Sequence, residues 1–258
     1  MDAREATTRQ VEGNDAITTR IGAVALPLGI ILLLVAEFFH PAREHPMDFP
    51  AVFMEYAHSD IWTAVHLAQY FGFLLLLGGL VALYYSVGAE QGVGAGLAPF
   101  GLGAAVTTAA SFTVLQAVDG VALKRAVDAW ASAPPDRESA AFAAAEAVRW
   151  TEMGMNSLSF FLAGLTLLLF GLAIALGRGY PRWAGWMAAV SGALFMVNGV
   201  LVAYEGFGPS IIRLVAILLL AVWTFIMAVL MWRYGGRRRI ARSEAVTPGP
   251  TRRSANPR

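Results

Sequence analysis

The sequence predicts an all-α membrane protein, a polytopic bundle of six transmembrane helices, and three observations carry that prediction. Hydrophobic residues make up 57% of the 258 and charged residues only 14%, with a mean hydropathy of +0.57, a balance that suits a membrane protein better than a water-soluble one. Six stretches are apolar over the ~20 residues needed to cross ~30 Å of hydrocarbon. Between them stand charges, Pro or Gly, as in GRGYPRW (177–183) and EGFGPS (205–210), which stop one helix and start the next. Lipid offers the backbone no hydrogen-bond partners, so these stretches must be helices.

Residues 1–20 mix both charge signs and contain no apolar run or small-residue cleavage pattern. They are expected to form a polar N-terminus, with the first apolar segment retained. The spans are expected at about 21–39, 61–86, 95–118, 154–177, 183–204 and 210–232. After span one, DFPAVFMEYAHS (48–59) places Phe49, Val52, Phe53 and Tyr56 on one helical stripe behind an Asp48 cap, which predicts a short helix lying in the membrane interface. Residues 119–153 read as two helical arms broken at Ala133-Pro134-Pro135, a hairpin prolonging spans three and four. Gly185, Gly192 and Gly199 recur every seven residues along span five and predict a close helix seam. The glycine-rich GVGAGLAPFGLG (92–103) suggests tight packing or an irregular start to span three. From 233 to 258 the chain has eight Arg, one acid and several Pro, Gly and Ser, which predicts a disordered basic tail resting on anionic lipid headgroups. The tail lacks aromatic interleaving, so no specific nucleic acid is expected as a partner.

Lys and Arg near the span ends set orientation. Thirteen fall on the side of the termini and six on the other, which places both termini in the cytoplasm, the protein in the cell membrane and the 40–60 loop outside. Oligomeric state is not encoded in any feature of the chain.

Ionisable groups are costly within spans, so their positions guide the search for function. Glu37 and His40 end span one. His58, Asp60 and His66 fall at or just inside the outer end of span two, and Gln116 and Asp119 close span three. Arg149, Glu152 and Asn156 open span four, Asn198 and Glu205 share a face of span five, and Arg213 lies one turn into span six. All sit at one depth, the outer third of the bilayer. Either they form separate structural pairs, such as Glu37 with Arg213 or Glu152 with Arg149, or they line an outward-facing polar pocket.

All four histidines (His40, His45, His58, His66) lie within 40–66. His58, Trp62, His66 and Tyr70 follow one another at four-residue spacing along span two, yet His58 and His66 are about 12 Å apart along the axis, too far to share an ion. A zinc or iron site would need His66 or His58, joined by Glu37, His40 and an acid such as Glu152 or Glu205. Bis-histidine haem ligation would need His40 with His66. The absence of cysteine rules out disulfides, thiolate metal sites and cysteine nucleophiles. No motif implies a cofactor, and Ser59-Asp60 reads as an ordinary helix cap.

The stretches RIGAVALPLGIILLLVAEFF, HSDIWTAVHLAQYFGFLLLLGGLVALYY, DGVALKRAVDAWA and EAVRWTEMGMNSL resemble six-span bacterial and archaeal membrane proteins grouped as a domain of unknown function. The likeness covers most of 18–233 and implies a helical membrane protein with no assigned activity or catalytic residue. The expected function is binding of a small ligand, lipid headgroup or ion in an outward-facing pocket built from Glu37, His40, Trp62, His66, Asp119, Glu152, Asn156, Glu205 and Arg213, with His66 and Glu37 as first candidates for any metal. Two alternatives stand beside it. One is a metal- or haem-dependent membrane enzyme using the same groups, and the other is an accessory protein with no ligand.

Overall fold

The structure, a computed structural model, describes residues 3–88 and 92–246, with side chains over 16–88 and 92–233. Eight α-helices follow in order: α1 (Ala3–Phe39), α2 (Phe49–Ala57), α3 (Trp62–Gly88), α4 (Val93–Ala117), α5 (Lys124–Ala131), α6 (Glu138–Ala175), α7 (Arg182–Glu205) and α8 (Ile211–Val246). Among the described residues, six segments are long and apolar enough to cross a membrane: Ala16–Phe39, Trp62–Gly88, Val93–Ala131, Glu138–Ala175, Arg182–Glu205 and Ile211–Arg233. The six-helix membrane bundle is therefore present as read from the sequence. Backbone helix also covers residues before 16 and continues past 233 to Val246, where the sequence suggested a polar N-terminus and a disordered tail. The last part of that tail, 247–258, lies outside the described residues.

The spans form a ring. Each packs on two neighbours in the order α1, α3, α4, α6, α7, α8 and back to α1, with α3 and α8, which flank α1, barely touching. Lipid is as apolar as leucine, so close approach rather than the hydrophobic effect holds such helices together. The α6–α7 pair shows how. A Cβ added to Gly185 would come within 2.4 Å of the Ala175 backbone, one on Gly192 within 2.5 Å of the Gly164 carbonyl, and one on Gly199 within 2.7 Å of the Ser157 carbonyl. Gly164 and Gly171 meet α7 from the other side, and Ser157 Oγ donates to the Gly199 carbonyl at 2.8 Å. The seam read from the seven-residue glycine spacing is thus a backbone-to-backbone contact. Outside the ring, Leu28, Phe71, Val106, Leu158 and Phe225 face outward. Exposed Trp183, Trp186 and Trp232 lie toward one end and Trp150 and Tyr204 toward the other, as aromatic belts at two interfaces would.

Two features of the α2 end differ from the expectation. The α2 helix begins at an Asp48 cap whose side chain accepts from the Ala51 amide, as the sequence suggested, but its apolar stripe does not lie on lipid. Phe49, Val52, Phe53 and Tyr56 pack against Trp62, Leu123, Val127, Ala145 and Met153, with Trp130 and Phe142 alongside. The hairpin arms α5 and α6 rise far enough to offer an apolar wall, and protein contact replaces the membrane interface. The sole lysine fixes the arrangement: Lys124 Nζ donates to the Tyr56 and Ala57 carbonyls at 3.1 and 3.0 Å and to Asp128 at 2.7 Å, satisfying carbonyls left over at the end of α2.

The second difference concerns span three. Its glycine-rich start shows the tight packing that was one of the two readings, regular helix from Val93 with Gly94 against Gly177 and Gly101 against Phe170. The irregularity lies at the other end, where Val118–Leu123 forms a π-helix leading directly into α5. π turns widen a helix and free carbonyls, and they recur at functional sites. Here the freed carbonyls are taken up from α3: Trp62 Nε1 donates to Asp119 O at 3.0 Å and Thr63 Oγ1 to Gly120 O at 3.3 Å.

Candidate functional site

The ring of spans encloses a cavity of about 520 Å³ that reaches from the α2 end deep between the helices. That size lies within the range of small-molecule sites. Leu26 and Glu37 of α1 both line it, and at 1.5 Å per residue the stretch between them is about 16 Å long. The lining changes character along this length. At the α2 end stand Glu37, His40, Asp119, Arg149, Glu152 and Arg213, and further in the wall is Ile30, Leu76, Leu80, Phe195, Leu220 and Trp223. The sequence placed every ionisable group of the spans at one depth, and the structure gathers six such side chains at one end of one chamber.

Arg149 and Glu152 are one helical turn apart on α6 and both almost fully buried, with Arg149 Nη1 donating to Glu152 Oε2 at 2.5 Å. Asn156 Nδ2 donates to the other carboxylate oxygen at 3.1 Å. Arg149 Nη2 reaches the Pro46 carbonyl at 3.3 Å, and its guanidinium lies over the Tyr56 and Phe207 rings at 5.5 and 5.0 Å. The Arg149 Nε hydrogen finds no acceptor among the described residues. Among the described residues the Arg213 side chain makes one long bond, to the Gly208 carbonyl at 3.5 Å, so most of its donors remain for something else. Glu37 accepts from Gln69 at 3.3 Å and forms no ion pair with Arg213 among the described residues. The Glu152–Arg149 pair exists as suggested, and the Glu37–Arg213 pair does not.

On the α1–α3–α4 side, His66 Nδ1 faces the Trp62 carbonyl at 2.8 Å and its Nε2 lies 3.1 Å from Asp119 Oδ2. His40 Nδ1 faces the Pro41 carbonyl at 2.9 Å. The His40 ring stands edge-on to His66 at 5.2 Å between centroids and 5.0 Å from Trp62. Burial first, and the neighbouring His66 second, push His40 below the ordinary imidazole value. Gly120 makes the approach feasible: a Cβ there would meet His66 Cβ at 2.6 Å.

The candidate residues therefore divide. Glu37, His40, Asp119, Glu152, Asn156 and Arg213 line the chamber. His66 and Trp62 stand one layer behind, at 2% and 1% exposure, and act on the chamber through Asp119. Glu205 is exposed on the outside of α7 and joins neither group. Asn198, which shares its helical face, is buried within the bundle. His45 and His58 are exposed, with His58 held by the Met54 carbonyl at 2.7 Å. Sequence reasoning also passed over Gln69, opposite Glu37, and Trp223, which lines the chamber wall and whose buried Nε1 has no acceptor among the described residues. A tryptophan in an apolar span carries no signal to separate it from core packing. The one available cue was Asp119-Gly120, a turn-forming dipeptide set within an otherwise continuous helical pattern.

Comparison with protein-family models, with curated proteins and with solved structures returns no match for this chain. The site stands on its geometry alone.

Proposed function

We propose that the protein binds one amphipathic molecule, a small polar head on an acyl-type chain, in the chamber enclosed by its six spans, and that it is a binding protein before it is an enzyme. The gradient of the lining carries this reading: charged and amide side chains crowd one end, and the rest is aliphatic and aromatic apart from the hydroxyls of Thr108, Ser159, Thr166 and Thr224, which bond to helix carbonyls or to other hydroxyls. A polar solute would leave the apolar inner part unmatched, and a hydrocarbon would leave Arg149 Nε and most of the Arg213 donors without acceptors. An amphipath satisfies both. Its head meets the Arg213 and Asn156 donors and the Glu37 and Gln116 acceptors, while its chain runs along the apolar wall that includes Trp223.

The polar end faces outward in this reading, because Arg is concentrated beside both termini and the translocated side is poor in basic residues. The chain sits in the cell membrane, and the basic segment after Arg233 contacts anionic headgroups on the cytoplasmic face. The chain has no cysteine, so a cysteine introduced at the exposed Ser139 of the hairpin is a clean topology probe. It is labelled by an impermeant maleimide on intact cells; labelling only after lysis reverses the orientation.

Binding is tested with a monoacyl lipid brominated along its chain, since bromine quenches tryptophan on contact. Trp223 sits in the chamber wall, so detergent-purified protein shows a saturable quenching component. Trp223→Phe removes that component, while the non-saturable quenching of the lipid-facing tryptophans persists. Quenching without a saturable part, or unchanged in Trp223→Phe, refutes the reading.

A further inference from the structure

We infer that His40, His66 and Asp119 form a binding site for a divalent transition metal, zinc or ferrous iron, at the polar end of the chamber. One donor atom from each residue lies within 4.8 Å of the other two. The residues come from the end of α1, the first turns of α3 and the π-helix after α4, so three separate elements converge on one point.

The orientation of the histidines is that of metal ligands. His66 Nδ1 is engaged by the Trp62 carbonyl and His40 Nδ1 by the Pro41 carbonyl. A carbonyl only accepts, so each Nδ1 carries a hydrogen; in the neutral ring each Nε2 then holds the lone pair, the tautomer fixed in ligating histidines by a backbone acceptor. The His66 lone pair then faces the Asp119 carboxylate across 3.1 Å. Two acceptors at that distance repel unless a proton, which makes an imidazolium–carboxylate pair, or a metal cation stands between them. His66 Nε2 and Asp119 Oδ1 are both buried without a hydrogen-bond partner among the described residues, and His66 is only 2% exposed. Buried polar atoms rarely go unpaired, and a bound cation resolves both.

The dimensions agree. A tetrahedral zinc with ligands at about 2.0–2.1 Å holds its donors roughly 3.3 Å apart. The His66–Asp119 pair is already at 3.1 Å, and His40, on the loop just past α1, has to close by no more than about 1.5 Å to complete the set. Two imidazoles and one carboxylate suit zinc or iron better than calcium or magnesium, which prefer all-oxygen shells. His40 and Asp119 both line the chamber, so the remaining coordination position lies on the ligand side. The aromatic face of Trp62, 4.5 Å from the His66 ring, and Gly120 beneath it hold the ligand set in place. Glu37 is not part of the set, although the sequence offered it with His66.

The inference does not depend on what fills the chamber, because its test uses metal alone. The full chain, stripped with a chelator in detergent, is given Zn²⁺, or Co²⁺ as a coloured substitute, and metal per chain and thermal midpoint are measured. The site predicts about one ion per chain, a raised midpoint, and a Co²⁺ visible spectrum of low-coordinate N/O type. The His45→Ala/His58→Ala double variant, which removes both exposed histidines, keeps all three. Asp119→Asn, nearly the same shape, weakens binding at least tenfold, and His66→Gln does the same. Wild-type protein that takes up neither ion overturns the site without reference to any variant. So does uptake that Asp119→Asn leaves unchanged, or uptake lost in the His45/His58 variant. Should Asp119→Asn fail to fold, His40→Gln on the loop replaces it, with the same required loss.

Discussion

Arg149→Met destabilises the protein by about 3 to 5 kcal/mol, the cost of leaving one member of a buried ion pair uncompensated. Glu152 has a side-chain exposure of 2% and would keep only the Asn156 amide as a partner. The effect is read as a fall in the thermal midpoint in detergent of roughly 10 °C, given that each kcal/mol moves a chain of this size by a few degrees. The double variant Arg149→Met/Glu152→Leu recovers most of the loss, because no buried charge then lacks a partner. A single variant as stable as the wild type would mean that Glu152 is neutral or well hydrated at the chamber wall.

Gly192→Leu has an effect at least as large. The carbonyl of Gly164 and the backbone of Leu168 stand at 2.5 and 2.6 Å from where its Cβ would lie, and neither can rotate away as a side chain would. Overpacking a well-packed site costs about 1 to 3 kcal/mol. Backbone on both sides puts this case above that range, so α6 and α7 must separate. Gly78→Ala is the control: nothing lies within 4 Å of its added Cβ, and alanine is the better helix former by about 1 kcal/mol. It therefore melts no lower than the wild type. A normal melting profile for Gly192→Leu would show that the α6–α7 seam is looser than described.

What the sequence made legible and what it hid follow from the range of the forces involved. Spans, the Asp48 cap, the Pro134-Pro135 break and the Gly185–Gly192–Gly199 seam are local, written in hydropathy, turn chemistry and helical period. The depth of the polar groups was legible for the same reason, since a helix rises by a fixed amount per residue. Which helix neighbours which is not local. Glu205 and Glu152 sit at similar depths, yet one faces outward from α7 and the other into the chamber, because the ring order and rotation of the helices decide it. His40 and His66 were paired from the sequence, but Asp119 as their partner was hidden twice, by that order and by a π turn that shifts the register of every residue after Val118. The α2 stripe was correctly read as apolar and assigned the wrong partner, since the height of the hairpin arms above the membrane is set by their packing.

A binding chamber whose polar end carries a metal would give the protein a means to hold one amphipath by its head and its chain at once. The two parts of that account can fail separately. The metal measurement addresses one wall of the chamber, and the chamber itself is addressed by what the protein carries out of the membrane.

The most direct measurement is native mass spectrometry of the protein extracted gently from its membrane, alongside an Ala163→Phe variant that places a ring among the chamber-lining residues of α6. The account predicts one amphipathic molecule of defined mass retained per wild-type chain and its loss from an equally folded Ala163→Phe protein. Wild-type chains that emerge with no such molecule, or variant chains that retain it as well, would contradict it.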